Sequence, residues 1–195
     1  MKLFSYVVEH DRGYAPNPYG GFCTLRGCKY RKCPCKPRNV VELADPGDWV
    51  VGTGGKGPRS AGHGKLVYAM QIEEKMTREQ YYNDRRFQSK LPLPHGRYEQ
   101  QQGDNVRPGN SFEREEQFVL ISRLRFYYFG RNAIDIPCDT FPRLEKQGPG
   151  FKVFDDAYAA RFERWITRKE PGLQGEPCMK EPAKERDGRT SKSCC

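Results

Sequence analysis

Apolar residues in this chain arrive only in short runs, most of them alternating with polar ones, and each run is closed by glycine, proline or charge. Leu3 to Glu9 sets Phe4, Tyr6 and Val8 against Leu3, Ser5 and Val7. Lys65 to Glu73 sets Leu66, Tyr68, Met70 and Ile72 against Val67 and Ala69. A period of two is that of a strand. Trp49 to Val51, Gln117 to Ser122 and Arg125 to Phe129 read as further strands. Thr77-Arg-Glu-Gln80 has the capping-box form and predicts a short helix over Arg78 to Asp84. Asp155 caps a second helix, in which Tyr158, Phe162, Trp165 and Ile166 fall at i, i+4, i+7 and i+8. That stripe reads as a core-facing seam. Short strands, turns and two modest helices predict the α+β class: a small mixed sheet or a small β-barrel with helices packed outside.

Leu, Ile, Val and Phe number 36 of the 195 residues, about 18%. Only Leu173 of these lies beyond Arg168, so residues 1–168 hold 35 of them, about 21%. With 11 Tyr and 2 Trp added, that is enough for one core. The expected organisation is a single globular domain over 1–168 and a charged, disordered tail over 169–195. No stretch approaches the roughly 20 successive apolar residues of a spanning helix, and Leu3 to Val8 is too brief for a signal segment. The expectation is a soluble, cytoplasmic protein.

The net charge of +9 points to nucleic acid or a phosphorylated ligand as partner. A membrane surface is disfavoured, because no basic amphipathic helix of the interfacial type stands out. Four of the eight cysteines, Cys23, Cys28, Cys33 and Cys35, fall within 13 residues. Their gaps of four, four and one residues are irregular for a zinc site, where paired CxxC-like bites are usual. A small buried thiol is the competing reading for Cys23 and Cys28.

Gly52-Thr-Gly-Gly55-Lys-Gly57 invites a phosphate-binding reading, since bare backbone N–H groups approach an anion closely. It lacks the GxxxxGK[ST] spacing, and a tight turn between strands explains it equally well. His10, His63 and His95 show no metal-ligand spacing, and there is no GxSxG elbow. Nothing calls for a cofactor or a bound metal, and whether the chain is an enzyme is left open. Cys23, beside a basic run, is the one nucleophile candidate. Aromatic groups at strand ends are the better signal, since such rings hold unstacked bases. Trp49 and one of Tyr127 or Tyr128 are favoured for such a pocket.

Several segments together resemble the nucleotide modification associated domain family, second type. They include Met1-Lys-Leu-Phe-Ser-Tyr-Val-Val8, Ala15-Pro-Asn-Pro18, Cys23-Thr-Leu25 and Gly47-Asp-Trp-Val-Val-Gly-Thr-Gly54. Lys65-Leu-Val-Tyr-Ala-Met70, Tyr82-Asn-Asp84, Gly103-Asp-Asn105, Phe126-Tyr-Tyr-Phe-Gly130 and Gly148-Pro-Gly150 continue the series. The passage through Trp49 is also similar to PUA-like domains such as ASCH and EVE, small barrels that hold a base in an aromatic-lined pocket. These likenesses imply a PUA-like β-barrel and a binding module for a modified base or nucleotide in a DNA or nucleotide modification system. Asn17, Cys23, Trp49, Thr53, Asp104, Asn105 and Tyr128 are the expected ligand-binding residues. One alternative is an enzyme acting on a modified base or nucleotide, with Cys23 or Asp104 in the chemistry; another is a zinc-stabilised interaction protein.

Overall fold

A computed structural model describes residues 1–26, 30–31, 38–57, 60–91, 118–146 and 148–178. In chain order they form β1 (Leu3–Val8), β2 (Cys23–Arg26), β3 (Tyr30–Arg31), β4 (Arg38–Asn39) and the single turn α1 (Val40–Leu43). Then come β5 (Trp49–Gly54), β6 (Lys65–Gln71), β7 (Glu74–Thr77), α2 (Arg78–Asn83) and a 3-10 helix over Arg85–Lys90. The remainder supplies β8 (Phe118–Ser122), β9 (Phe126–Tyr128), β10 (Ile134–Asp135), β11 (Phe151–Phe154), α3 (Asp156–Ile166) and β12 (Gly172–Leu173).

The main sheet runs β11-β1-β5-β6-β9-β12, with β10 extending β9's side of β6. It is mixed: β1 lies parallel to β5, with Leu3 opposite Trp49 and Val8 opposite Gly54, whereas β6 is antiparallel to both β5 and β9. Its outer strands β11 and β12 do not meet, so the sheet is open. The mixed-sheet expectation holds and the barrel expectation does not. Both faces of the sheet are covered by packed layers, which gives the sheet two flat cores in place of one enclosed interior.

Alternation along the strands assigns the faces, except in β6, where a bulge opposite Gly52 and Thr53 puts Val67 on the side of Tyr68 and Leu66 on the other. Phe4, Tyr6, Val8, Val50, Tyr68, Met70, Phe126 and Tyr128 meet Cys23, Leu25 and Leu120 of a second sheet, ordered β2-β8-β7. Leu3, Trp49, Val51, Ala69, Tyr127 and Phe129 meet Ala159, Phe162 and Ile166 of α3. Beyond the small sheet, Val119 and Ile121 pack on Tyr81 and Phe87 of α2 and the 3-10 helix. The order is thus helix, sheet, sheet, helix.

Both expected helices are present with the expected caps. Gln80 N–H donates to Thr77 Oγ1 at 3.2 Å and Thr77 N–H to Gln80 Oε1 at 3.0 Å. Asp155 Oδ1 accepts from Tyr158 N–H at 2.9 Å. A turn at residues 123–125 separates β8 from β9, and Glu73 Oε1 holds it by accepting from the N–H groups of Arg123, Leu124 and Arg125. Past Arg168, inside the stretch that composition assigns to a tail, Gly172 and Leu173 pair in parallel with Tyr127 and Tyr128. Gln174 N–H then donates to Tyr128 O and Arg131 N–H to Glu176 O, both at 2.8 Å. Backbone pairing of this sort needs no apolar side chain, so composition does not register it. Among the described residues, no helix is long and apolar enough to cross a membrane.

Candidate functional site

β1 and β5 end side by side, and the chain leaving β1 turns inward at Asp11. This carboxyl is only 2% exposed. Its Oδ1 accepts from Tyr128 O–H at 2.5 Å and from Gly13 N–H at 3.3 Å, and its Oδ2 accepts from Cys178 N–H at 3.2 Å. Burial raises its pKa above the ordinary Asp value even though those three donors pull it down. The same burial, reinforced by the Asp11 charge, drives the Tyr128 phenol strongly upward. Cys178 is pushed up to about 11, by burial first and by Asp11 second. The acid is therefore ringed by neutral hydroxyl and thiol groups.

Arg12, Tyr14 and Tyr19, on the chain that follows Asp11, are half-buried. Tyr19 lies beside Gly13, and its phenol is raised by burial and then by the charges of Glu176, Asp11 and Tyr14. Deeper in the same interlayer space, the hydroxyls of Tyr6 and Tyr68 share a hydrogen bond of 2.6 Å. The segment 174–178 lies across the top, with Arg131 Nε donating to Pro177 O at 3.0 Å. Pro177 packs where a side chain on Gly13 would stand.

Cys23 and Tyr128 share this side of the main sheet, and the Tyr128 phenol feels the Cys23 position electrostatically. Cys23 is fully buried, 3.9 Å from Met70 Sδ, and burial pushes its thiol up to about 12 against the pull of Lys90. A thiol in that state is a core residue and a poor nucleophile at neutral pH. Asn17 joins the group through backbone, exchanging hydrogen bonds of 2.8 and 2.9 Å with Thr24. Thr53 spends its hydroxyl on Tyr6 O at 3.3 Å. Trp49 is on the other side of the sheet, stacked on Tyr127 and edge-on to Phe162. It packs between Tyr127 of β9 and Phe162 of α3, on the face opposite to Tyr128, so it does not share a pocket with Tyr128. Asp104 and Asn105 lie outside the described residues, as do Cys28, Cys33 and Cys35. Among the described residues no three His, Cys, Asp or Glu side chains gather to hold a metal.

Packing accounts for the glycine loop. A Cβ on Gly52 would come 2.4 Å from the Tyr68 ring, and one on Gly54 would come 1.9 Å from Gly62 O. Ser60 Oγ accepts from Gly55 N–H at 2.6 Å and donates to Val8 O at 2.7 Å, which closes the loop. The Glu9 carboxylate occupies the space beside Gly55 and Gly57. An anion already against the loop disfavours a phosphate there. The turn reading of the sequence is the one that fits.

Asp11, Tyr6, Tyr68, Tyr14, Tyr19 and Cys178 were not among the expected site residues. Asp11 had no local signal, since Glu9 beside it carries the same charge at the same strand end. Tyr6 and Tyr68 had one, since alternation puts each on its strand's face with Phe4 and Met70. Nothing local marks Cys178.

Fold and site define an α+β protein with an open mixed sheet and an acid buried among tyrosines at its strand ends. The sequence profile of the nucleotide modification associated domain 2 family matches residues 1–118 and 107–184, and the chain belongs to that family. No curated protein and no solved structure matches it.

Proposed function

We propose that the chain is a nucleic-acid or nucleotide binding module that recognises a modified base within a nucleotide modification system. The observation that carries this reading is the buried Asp11–Tyr128 pair with half-buried Arg12, Tyr14 and Tyr19 on the chain that follows Asp11. Tyr14 and Tyr19, half-buried on the same loop, offer aromatic faces of the kind that stack on bases, and the Asp11–Tyr128 pair, closed to solvent, fixes the loop that presents them. The carboxyl ends of β1 and β5 are also where open sheets with parallel strands most often place ligands. Family membership supports the nucleotide context.

The test is binding of paired oligonucleotides that differ only in a base modification, followed by fluorescence polarisation. Asp11→Asn and Tyr128→Phe are expected to erase the preference between them while the protein stays folded. A preference untouched by both substitutions sinks this site.

An enzyme acting on such a base is the second reading, and the raised pKa of Asp11 favours it, since a carboxyl that keeps its proton longer is a better general acid. Turnover of a modified nucleotide that survives Asp11→Asn would remove Asp11 from the chemistry, and no turnover by the unaltered chain would remove the reading.

A further inference from the structure

The outer side of α3 carries Arg161 and Arg164, and the turn that follows carries Arg168. Spacings of three and four residues put the three on one side of the helix, and all are exposed. Ala157 and Ala160 accompany them, so no acid interrupts the row. The helix's acids are engaged elsewhere: Asp155 caps it, Asp156 pairs with the Met1 amino group at 3.3 Å, and Glu163 pairs with Arg125. None of the three arginines has an ion pair with a described residue.

A second group of cations borders this row. Tyr158 O–H donates to Pro142 O at 3.3 Å and fastens α3 to the loop carrying Arg143. Arg161 lies 5.0 Å above the Tyr158 ring, and the charges of both Arg161 and Arg143 reach its phenol. Lys152 Nζ donates to Arg143 O and Glu145 O at 2.8 Å. Burial holds the Lys152 pKa below its ordinary value, and the like charges of Lys146 and Arg143 lower it further. The nearest carboxylate, Glu145, is occupied by His63 and by Gly64 N–H.

We propose that this face, Arg161, Arg164 and Arg168 with Arg143 and Lys152, binds the phosphate backbone of a nucleic-acid strand. The inference rests on the reading above and selects a polymer over a free nucleotide as its partner. Arg161 to Arg168 spans about 10.5 Å of helix axis at 1.5 Å per residue. One strand of B-form DNA presents about three phosphates over that length, at 3.4 Å each. Unneutralised arginines at such spacing suit a repeating anion, and arginine forks match phosphate oxygens. An anionic bilayer fits less well. Interfacial helices insert large apolar side chains, and here those of α3 are packed toward the sheet, with only Ala157 and Ala160 as apolar company for the arginines on the outer side.

The experiment uses the full chain and its triple variant R161Q/R164Q/R168Q, binding a mixed-sequence DNA duplex across a salt series. Vesicles containing phosphatidylserine form a parallel arm. The expected result is a fall in the slope of log K against log salt of up to about 2.7, with affinity at low salt down by about 10-fold or more. The melting temperature should hold, since these side chains are exposed. An unchanged slope overturns the inference, as does tighter binding to vesicles than to DNA. If the slope is unchanged while Asp11→Asn still erases the preference for a modified base, only the backbone contact fails. If the slope falls but Asp11→Asn changes nothing, the backbone contact stands and the Asp11 site fails. No binding to DNA by the unaltered chain overturns the backbone contact, while a modified nucleotide that still binds in an Asp11-dependent way keeps the Asp11 site.

Discussion

The Tyr128 phenol donates to the Asp11 carboxyl at 2.5 Å, across 117 residues of chain, in a place where neither side chain meets water. This bond joins the end of β9 to the loop leaving β1. It also explains why three donors converge on Asp11. A buried carboxyl without them would cost several kcal/mol. Even with them, burial dominates, and the acid holds its proton more tightly than it would in the unfolded chain.

A pH dependence follows from that sign. Below the unfolded Asp pKa of about 3.9, the group is protonated in both states and contributes no difference. As pH rises past that value, the unfolded chain gives up the proton first, so stability falls until the folded pKa is passed and then levels off. Glu74 and Asp84, both lowered by hydrogen bonds from Arg86, impose the opposite slope. They are common to wild type and Asp11→Asn, so they cancel in the comparison. Urea unfolding of the two proteins from about pH 4 upward should therefore show the wild type losing ground to the variant. Parallel curves would mean that Asp11 is not desolvated.

Much of the layer order was legible in the alternation of β1 and β6 and in the seam of α3, because burial on one face leaves a period in the side chains. What could not be read was which face of one strand meets which face of another. Trp49 and Tyr128 are both large aromatics on strands, yet the register of β5, β6 and β9 turns them to opposite sides. Asp11 went unseen for a different reason. Its importance comes from Tyr128 and Cys178, both more than a hundred residues away, and no local pattern encodes that meeting. β12 was invisible because strand pairing through Gly172 uses only backbone groups.

Lys90 is a buried ammonium that secures the loop carrying Asn17. At 1% exposure it donates to Asn17 O at 2.9 Å, Phe22 O at 2.8 Å and Thr24 Oγ1 at 3.2 Å. Thr24 Oγ1 also accepts from Tyr81 O–H at 3.3 Å, tying α2 to the same point. Lys90→Met keeps the stem and strips these acceptors, at about 1–3 kcal/mol for each left unsatisfied. Urea titration should show that loss in the midpoint. A change under about 0.5 kcal/mol, the range of ordinary surface substitutions, would mean that the loop holds itself.

Glu73 Oε1 collects the N–H groups of Arg123, Leu124 and Arg125 at 3.0, 2.7 and 3.1 Å, and Ser122 O–H at 3.2 Å. The side chain is the staple between β8 and β9. Glu73→Gln keeps an acceptor oxygen and should cost less than Glu73→Ala, which leaves three consecutive donors to water. Hydrogen exchange is the direct measure: the amides of residues 123–125 should exchange faster in the alanine variant, with those of β1 unchanged. Equal protection in all three proteins would show that the turn closes without Glu73.

Trp49 separates a packing role from a binding role. Its indole is fully buried, with Tyr127 stacked on one side, Phe162 edge-on and the Arg125 guanidinium 5.5 Å from the ring. Among the described residues its Nε1–H meets no acceptor. A buried donor without a partner carries a desolvation cost that no hydrogen bond repays. Trp49→Phe discards that donor and retains a ring, so the loss of packing is partly offset. Trp49→Ala opens a cavity beneath α3 and should cost about 3–5 kcal/mol. Calorimetry should rank the two substitutions widely apart. Oligonucleotide binding by the phenylalanine variant should match wild type in both salt slope and base preference, because Trp49 faces α3 and not Asp11. A lost base preference in a folded Trp49→Phe protein would move the ligand to the α3 side of the sheet.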